Sequence, residues 1–219
     1  MSEPHNDEVF EGVYGPYRID ANDRRDVLLY RLSLLVVALA QIGLLAQWQL
    51  VGAGWIWPWW LLAAVALGLA LRWIHIYLLP LHRTLQLLWL LGCGGSAALA
   101  LSAGTGQMLQ ALADQRLWIL AIGPLFAALA GIGFKEFFCF RRPEAIGVTL
   151  LLPLALLGYW SGLLGGRGCV TLLAISSGLL LLLCLRKFPM PAAADVGDKS
   201  VFAALAAERQ GRSASPEQA

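Results

Sequence analysis

Six long apolar segments, each flanked by polar residues, are the feature that most restricts how this chain can fold. They lie at about residues 28–50, 54–74, 84–104, 116–134, 145–163 and 169–185. A helix needs roughly 20 apolar residues to cross the hydrocarbon core of a bilayer. Backbone groups inside that core must be hydrogen-bonded within the protein, which favours helices over strands. The sequence therefore predicts an all-α fold, a polytopic transmembrane helical bundle with six spans.

The composition agrees with a membrane-embedded chain. Hydrophobic residues make up 58% of the 219 residues and charged residues only 14%, whereas about 25% of the residues in ordinary soluble domains are charged. A soluble domain of this length would leave too much apolar surface in contact with water. The net charge of +2 is too small to indicate nucleic acid as a partner, so the lipid bilayer is the expected partner.

The basic residues are divided unevenly between the two sides that six spans create. Only two of the 16 Lys and Arg residues, Arg116 and Arg167, fall on one side. The other side holds Arg18, Arg24, Arg25, Arg31, Arg72, Arg83, Lys135, Arg141, Arg142, Arg186, Lys187, Lys199, Arg209 and Arg212. Basic residues stay cytoplasmic, so this positive-inside pattern predicts that both termini are cytoplasmic. Indole rings favour the headgroup layer, and most tryptophans fall near the opposite surface, namely Trp48, Trp55, Trp57, Trp59, Trp60, Trp118 and Trp160.

Three regions follow from this layout. Residues 1–26 are polar and are expected to form a cytoplasmic N-terminal segment, because they lack the basic start and apolar middle of a signal peptide. Residues 27–188 form the six-helix transmembrane domain. Residues 189–219 are rich in Pro, Ala and Ser and are expected to be a flexible cytoplasmic tail, with one short helix over about 198–210.

Small residues recur every four positions in three of the predicted spans. Such ridges let helix backbones approach closely in a bilayer, where lipid supplies no hydrophobic drive for association. They predict a compact bundle packed through Gly92, Ser96, Ala100 and Gly104, through Gly123, Ala127 and Gly131, and through Gly158, Gly162 and Gly166, the last of which lies just after the fifth span.

The predicted spans contain no Asp or Glu. Ionisable residues inside spans usually mark ion or substrate paths, so their absence disfavours a channel or an ion-coupled carrier. Gln41, midway along the first span, is expected to form a hydrogen bond between helices. The four cysteines, Cys93, Cys139, Cys169 and Cys184, are scattered without a CxxC pair. This pattern indicates reduced thiols rather than a disulfide framework or a zinc site.

The stretch "GFKEFFCFRRPEAIG", residues 133–147, places charged side chains among phenylalanines between the fourth and fifth spans. We expect the rings to enter the acyl boundary while the charged groups, including Lys135 and Glu136, stay in the headgroup layer. There the basic groups attract anionic lipid. A second interpretation makes Cys139 a nucleophile, with its thiolate favoured by the basic neighbours. No general base or glycine-rich oxyanion turn accompanies it, so anchoring of lipid or of a partner is the favoured interpretation.

The connection between the second and third spans, "RWIHIYLLPLHR", places Arg72, His75 and His82 at helical spacings that share one face, although Pro80 would interrupt a continuous helix. A metal site needs more ligands than two histidines, so none is predicted, and the pattern identifies no cofactor. Together with the charged stretch, this connection predicts a cytoplasmic-face functional surface. Its members are His75, His82, Arg83, Lys135, Glu136, Cys139, Arg141, Arg142 and Glu144.

Three short motifs carry a resemblance to a known family: "VYGPYRI" before the first span, "LHRTLQLLWLLG" opening the third and "FKEFFCF" after the fourth. Over about residues 9–188 the chain resembles an uncharacterised family of integral membrane proteins of cyanobacterial type. The resemblance implies a bacterial plasma membrane or a thylakoid membrane. That family has no assigned activity, so it implies no catalytic residue. It does imply a characteristic cytoplasmic surface formed by Tyr14, Gly15, Pro16, His82, Arg83, Lys135, Glu136 and Cys139.

Two classes of function remain open at this point. The favoured one is a non-catalytic membrane protein that docks a membrane protein complex at its cytoplasmic face, or that holds lipid or pigment. The alternative is an interfacial membrane enzyme or small-solute transporter that uses the polar residues of the cytoplasmic face. The absence of deep charges and of a catalytic signature favours the first class.

Overall fold

The computed structural model describes residues 9–201 and 204. Helices dominate this part of the chain, and a two-stranded antiparallel hairpin precedes them. The strands are β1 (Val9–Gly12) and β2 (Gly15–Arg18). The helices are α1 (Ala21–Leu50), α2 (Trp57–Trp73), α3 (Leu79–Ala103), α4 (Met108–Asp114), α5 (Trp118–Phe140), α6 (Pro143–Trp160), α7 (Gly166–Lys187) and α8 (Ala192–Val196).

Local sequence signals set several helix ends. Asp20 caps α1 through a reciprocal capping box with Asp23, in which each side chain accepts a hydrogen bond from the other residue's backbone N–H. The hydrogen bond from the backbone N–H of Asp23 is the main cause that lowers the pKa of Asp20. Pro80 lies in the first turn of α3, where proline is tolerated because its missing N–H has no helical partner. The predicted interruption at Pro80 is confirmed, since residues 74–78 are not helical.

Five helices in the described part of the chain are long and apolar enough to cross a membrane: α1, α3, α5, α6 and α7. The remaining predicted span, the second at about residues 54–74, corresponds to α2, which has 17 residues. The protein is thus an all-α helical membrane protein, as the apolar segments predicted. The connection after α3 contains the short helix α4, where the sequence predicted only a loop.

Neighbouring helices in the chain pack side by side and run in alternating directions, with α7 returning to pack against α1. The starts of α1, α3 and α6 and the ends of α2, α5 and α7 therefore lie together, and we call this the basic end. The opposite end, which holds the end of α1 and the starts of α2 and α5, is called the tryptophan end. The main apolar core lies between α1, α2, α5, α6 and α7 and includes Leu34, Leu71, Ile132 and Leu183.

The hairpin and the C-terminal segment meet at the basic end. The backbone N–H of Val13 donates to Asp198 Oδ2 at 2.7 Å, and that of Tyr14 donates to Ser200 Oγ at 3.0 Å. Val196 is fully buried in a small core with Ile19 and Val27. The sequence predicted a flexible tail from residue 189, whereas the structure packs residues 189–200 against α1. The short helix predicted over 198–210 falls mostly outside the described residues.

Small residues bring α3 and α5 into close contact. A Cβ atom added at Gly92 would lie less than 3.0 Å from backbone and side-chain atoms of Leu125, and one added at Gly95 would meet the carbonyl of Ala121. Ser96 is buried beside them and donates to the carbonyl of Gly92 at 2.7 Å. This ridge matches the prediction from the third span, and Gly95 extends it.

The other predicted ridges differ from the structure. Ala127 is exposed and Gly123 faces open space, so the prediction is wrong for these two residues, because the face of α5 that meets α3 is turned away from them. Gly131 packs against the Leu85 side chain as predicted. Gly158 packs against Leu164 within the same helix hairpin, and Gly162 forms a turn with φ +81° rather than a helix contact.

The close approach of α3 and α5 leads to a test with a matched control. We expect Gly92→Ala to destabilise the protein by about 1–3 kcal/mol, because the added methyl group overpacks the interface. Gly94→Ala, two residues away in the same helix but with nothing near its Cβ position, should be neutral or stabilising by up to about 1 kcal/mol. The measurement is thermal unfolding in mild detergent. Equal stability of the two variants would contradict the packing.

Candidate functional site

A carboxylate lies at the centre of the basic end. Glu136, in the last two turns of α5, is fully buried. Its Oε1 accepts hydrogen bonds from Tyr30 Oη at 2.7 Å and from Lys135 Nζ at 3.3 Å, and its Oε2 accepts from Lys187 Nζ at 2.6 Å. Three helices, α1, α5 and α7, therefore meet at one side chain. Both oxygens are satisfied, as burial of a carboxylate requires.

The C-terminal segment supplies a second buried carboxylate. Asp195 in α8 pairs with Lys187 through Oδ1. Its Oδ2 accepts from Arg31 Nε at 2.7 Å. The Arg31 guanidinium also donates to the backbone carbonyls of Met190, at 2.8 Å, and Pro191, at 3.3 Å. Arg31 thus holds the turn that carries the chain from α7 to α8 against the side of α1.

These five charged side chains form what we call the buried ion network: Arg31, Lys135, Glu136, Lys187 and Asp195. All five are buried. Removing an ion from water costs several kcal/mol, and only close pairing and complete hydrogen bonding offset that cost. The three cations exceed the two carboxylates by one. Two aromatic rings compensate for part of the excess, because Tyr30 and Phe140 lie within 6 Å of both lysine ammonium groups, with Lys187 4.5 Å from the Phe140 centroid.

Glu144, at the start of α6, forms a separate cluster. It is buried and accepts from Arg186 Nη1 at 3.1 Å, while Arg142 Nη1 lies 3.6 Å from its other oxygen. The α5–α6 turn is thereby tied to the end of α7. A negative charge in the first turn of α6 also suits the helix dipole.

The structure divides the predicted functional surface into a buried and an exposed part. Lys135 and Glu136 lie inside α5, which continues to Phe140, and both side chains are buried. Glu136 contacts Tyr30 of α1 and Lys187 of α7, and Lys135 pairs with Glu136, so both charges are turned into the bundle. Their depth relative to the headgroup layer stays a prediction. Arg83, Cys139 and Arg141 are exposed, and Arg141 ends α5 in a left-handed conformation at φ +50°.

The two histidines do not share a helical face, because the chain between α2 and α3 is not helical. His82 Nε2 lies 2.7 Å from the carbonyl of Leu71 and 3.2 Å from Gln86 Nε2, which joins α3 to the end of α2. Burial lowers the pKa of His75, so its imidazole is neutral at pH 7. Within the described residues, no three His, Cys, Asp or Glu side chains come together in a group that could hold a metal ion.

Sequence reasoning missed three of the five members of the buried ion network. Arg31 and Lys187 were counted only among the basic residues of the cytoplasmic side. Asp195 lay in the predicted flexible tail. The signal that could have identified Asp195 is the stretch "KFPMPAAAD", in which two prolines restrict the backbone between the last span and the acidic residue.

A cavity of about 260 Å³ lies inside the bundle near the tryptophan end. Helices α1, α2, α5, α6 and α7 surround it, and α4 closes one side through Leu109 and Leu112. Its walls are almost entirely apolar, and none of the described residues that line it is Lys, Arg, Asp or Glu. A concave, mostly apolar site with a few polar groups is the usual form of a small-molecule binding pocket.

Several side chains with polar atoms line this cavity, namely Gln41, Trp48, Trp60, Tyr159 and Ser177. Gln41 in α1 accepts a hydrogen bond from Ser177 in α7 at 3.2 Å, so its predicted role as a bond between helices is confirmed. Trp60 in α2 packs edge-to-face on Phe126, with centroids 5.7 Å apart. The indole Nε1 of Trp60 is buried and has no hydrogen-bond partner among the described residues. A buried donor left unpaired costs about 1–3 kcal/mol.

The buried ion network leads to a stability test. We expect Lys187→Met to destabilise the protein by about 3–5 kcal/mol. The substitution removes the ammonium group that pairs with both Glu136 Oε2 and Asp195 Oδ1, and leaves these two buried carboxylate oxygens without that partner. The control is Arg83→Met, which removes an exposed charge and should change stability little. Unfolding in a detergent titration measures both. A loss for Lys187→Met no larger than for Arg83→Met would contradict the network.

Comparisons with known proteins agree with this architecture. Residues 69–204 match the model of a family described as uncharacterized integral membrane protein (DUF2301). This match begins later than the resemblance expected over residues 9–188, and it extends into the C-terminal segment with Asp195. An uncharacterized protein of Haemophilus influenzae is 38% identical over 85 residues, which are 38% of this chain and 48% of that protein. No solved structure matches the chain. The chain therefore belongs to this family of integral membrane proteins.

Proposed function

We propose that the protein is a non-catalytic, six-span membrane protein that holds an apolar membrane molecule, a lipid or a pigment, in its bundle cavity. The cavity is the observation that carries this proposal. The cavity is partly enclosed, extends over about 260 Å³ and is lined by residues of five long helices and α4, and a mostly apolar cleft of this kind is the usual form of a small-molecule site. Apolar walls favour an apolar occupant, which the bilayer supplies.

Six crossings with both termini cytoplasmic are part of the proposal. The hydrogen bonds from Val13 to Asp198 and from Tyr14 to Ser200 support it, because they hold the first and last described segments at the same end of the bundle. A chain that starts and ends on one side of a membrane crosses it an even number of times. Helix α2, with its 17 residues, has a rise of about 26 Å, close to the hydrocarbon thickness of roughly 30 Å.

The placement of the basic end in the cytoplasm rests on the charge distribution. Among the basic residues in the described part of the chain, only Arg116 and Arg167 belong to the tryptophan end. Tryptophans at that end suit an outer headgroup layer. A bacterial plasma membrane or a thylakoid membrane is the setting that the resemblance suggests.

The pairing of the charged residues argues against an enzyme at the basic end. A general base or nucleophile needs a free, aligned group at the site of reaction. Glu136 accepts from three donors, and Glu144 lies between two arginines. The buried ion network therefore serves to hold α1, α5, α7 and α8 together.

A second candidate function is docking of a membrane protein complex at the basic end. The tip of the hairpin favours it, because Val13 and Tyr14 are 83% and 65% exposed, yet their backbone groups are held by Asp198 and Ser200. Large apolar side chains presented on a fixed turn outside the spans are suited to contact with another protein.

The orientation has a direct test by cysteine labelling, in a variant whose four native cysteines are replaced by alanine. Val13→Cys lies at the basic end and Leu163→Cys at the tryptophan end, and the native side chains are 83% and 86% exposed. We expect a membrane-impermeant maleimide to label Leu163→Cys in intact cells and Val13→Cys only after permeabilisation. Labelling of both sites in intact cells, or the reverse pattern, would contradict six crossings with cytoplasmic termini.

The bound molecule is tested by extraction. Protein purified in mild detergent should release about one apolar molecule per chain into organic solvent, measured by mass spectrometry. Ala63→Phe, which fills the cavity from α2, should reduce that amount at least fivefold. The control is Leu62→Phe, because Leu62 is 42% exposed on the outer face of the same helix, and this variant should retain the molecule. Equal yields from all three proteins would count against the cavity as a binding site. A stoichiometric protein partner in the same preparation would instead favour docking.

A further inference from the structure

The bundle cavity extends to the surface of the tryptophan end. Its lining includes Trp48 in the last turn of α1, Tyr159 in the last turn of α6 and Gly166, the first residue of α7. Gly166 is exposed, so this part of the wall borders the surface. Gln41 and Ser177 line the cavity farther inside the bundle and are hydrogen-bonded to one another at 3.2 Å. The cavity therefore has an inner end between α1 and α7 and a mouth beside the α6–α7 connection.

Two arginines flank this mouth. The guanidinium carbon of Arg116 lies 5.0 Å from the centroid of the Tyr159 ring. Its Nη1 is 3.0 Å from the position that a Cβ atom on Gly162 would take, in the α6–α7 connection. Arg167 follows Gly166 directly and is exposed. Neither arginine lines the cavity itself, so both positive charges belong to its rim and not to its interior.

The two arginines have no acidic partner among the described residues. Every ion pair in that part of the chain lies at the basic end. Asp114 is the only acidic residue that the described part of the tryptophan end contains. It accepts a hydrogen bond from Gln110 Nε2 at 2.9 Å and lines a separate cleft on the other side of α4. The rim of the cavity thus carries positive charge that the protein does not neutralise.

We propose that the occupant of this cavity is a single-chain anionic amphiphile, whose hydrocarbon chain lies in the cavity and whose carboxylate or phosphate headgroup pairs with Arg116 and Arg167. This inference rests on the proposed function and names the class of ligand. The walls suit the chain, because none of the described residues that line them is charged. A guanidinium group pairs with a carboxylate or a phosphate through two parallel hydrogen bonds. The headgroup stays at the mouth, so no unpaired charge has to be buried.

The size of the cavity agrees with one chain and not with two. An apolar protein cavity of about 150 Å³ binds benzene, so about 260 Å³ accommodates a chain segment of roughly ten carbon atoms at the same density. Single-chain anionic amphiphiles come from two sources in a membrane, free fatty acids with a carboxylate and lysophospholipids with a phosphate. Both share the negative headgroup that the arginines require.

Three probes with the same ten-carbon chain test the inference in the full-length protein in mild detergent. Decanoate carries a carboxylate, decyl phosphate carries a phosphate, and 1-decanol is neutral. Arg116→Gln removes one rim charge, and a double variant also carries Arg167→Gln. Arg83→Gln is the control, because Arg83 is an exposed arginine at the basic end. Ala63→Phe fills the cavity from α2.

We expect at least one anionic probe to bind with an affinity about tenfold higher than 1-decanol, as measured by native mass spectrometry over a range of probe concentrations. Arg116→Gln should weaken binding of that anionic probe about three- to tenfold, as loss of a hydrogen bond to a charged group implies. The double variant should bind it no better than 1-decanol. Arg83→Gln should have no effect, and Ala63→Phe should weaken all three probes. Whether decanoate or decyl phosphate depends more strongly on the arginines distinguishes the two sources.

Each other outcome has a distinct meaning. If 1-decanol binds as tightly as the anionic probes, or if the double variant binds the anionic probes like the unaltered protein, the inference of an anionic ligand is overturned while the apolar binding function remains. If the arginine variants weaken the anionic probes but Ala63→Phe does not, the headgroup binds outside the cavity and the inference is also overturned. If no probe binds to the unaltered protein, both the inference and the proposed function are overturned. Unchanged binding of 1-decanol to the arginine variants demonstrates that they have folded with the cavity intact.

Discussion

The chain of buried ion pairs from Glu136 through Lys187 to Asp195 is the interaction on which the rest of this structure depends. It joins the end of α5 to the end of α7 and then to α8, while Tyr30 and Arg31 bring α1 to the same point. In a bilayer, apolar side chains gain little by leaving lipid for a protein interior. Hydrogen-bonded ion pairs at the edge of the hydrocarbon therefore specify which helices meet, a task that hydrophobic burial performs in water.

The space between the helices is filled differently at the two ends of the bundle. At the basic end the space between helices is filled by ion pairs, by the rings of Tyr30 and Phe140 and by the returning C-terminal segment. At the tryptophan end the same helices separate around a cavity, and the short helix α4 covers its side. The ion pairs of the basic end thus tie the helices together far from the cavity.

Particular residues show which parts of the structure the sequence predicts and which it does not. The spacing of apolar segments predicted the helical membrane fold, since every segment of about 20 apolar residues corresponds to one helix. Gly92 and Ser96 were recognisable as packing positions because small residues recur on one face of α3. Ala127 and Gly123 showed the same recurrence but face away from the bundle. A periodic pattern defines a face of a helix, and it does not state which neighbour that face meets.

The amino-acid sequence by itself determined that this chain is a bundle of apolar helices with its basic residues gathered at alternate connections, because the bilayer imposes both length and backbone pairing on each segment. Only the tertiary structure decided that Lys135 and Glu136 are buried, that Asp195 pairs with Arg31 and Lys187, and that Trp60 and Gln41 border one cavity. These are contacts between residues up to 164 positions apart, as for Arg31 and Asp195. No local pattern encodes such contacts, since they arise from the rotation and order of helices around the bundle.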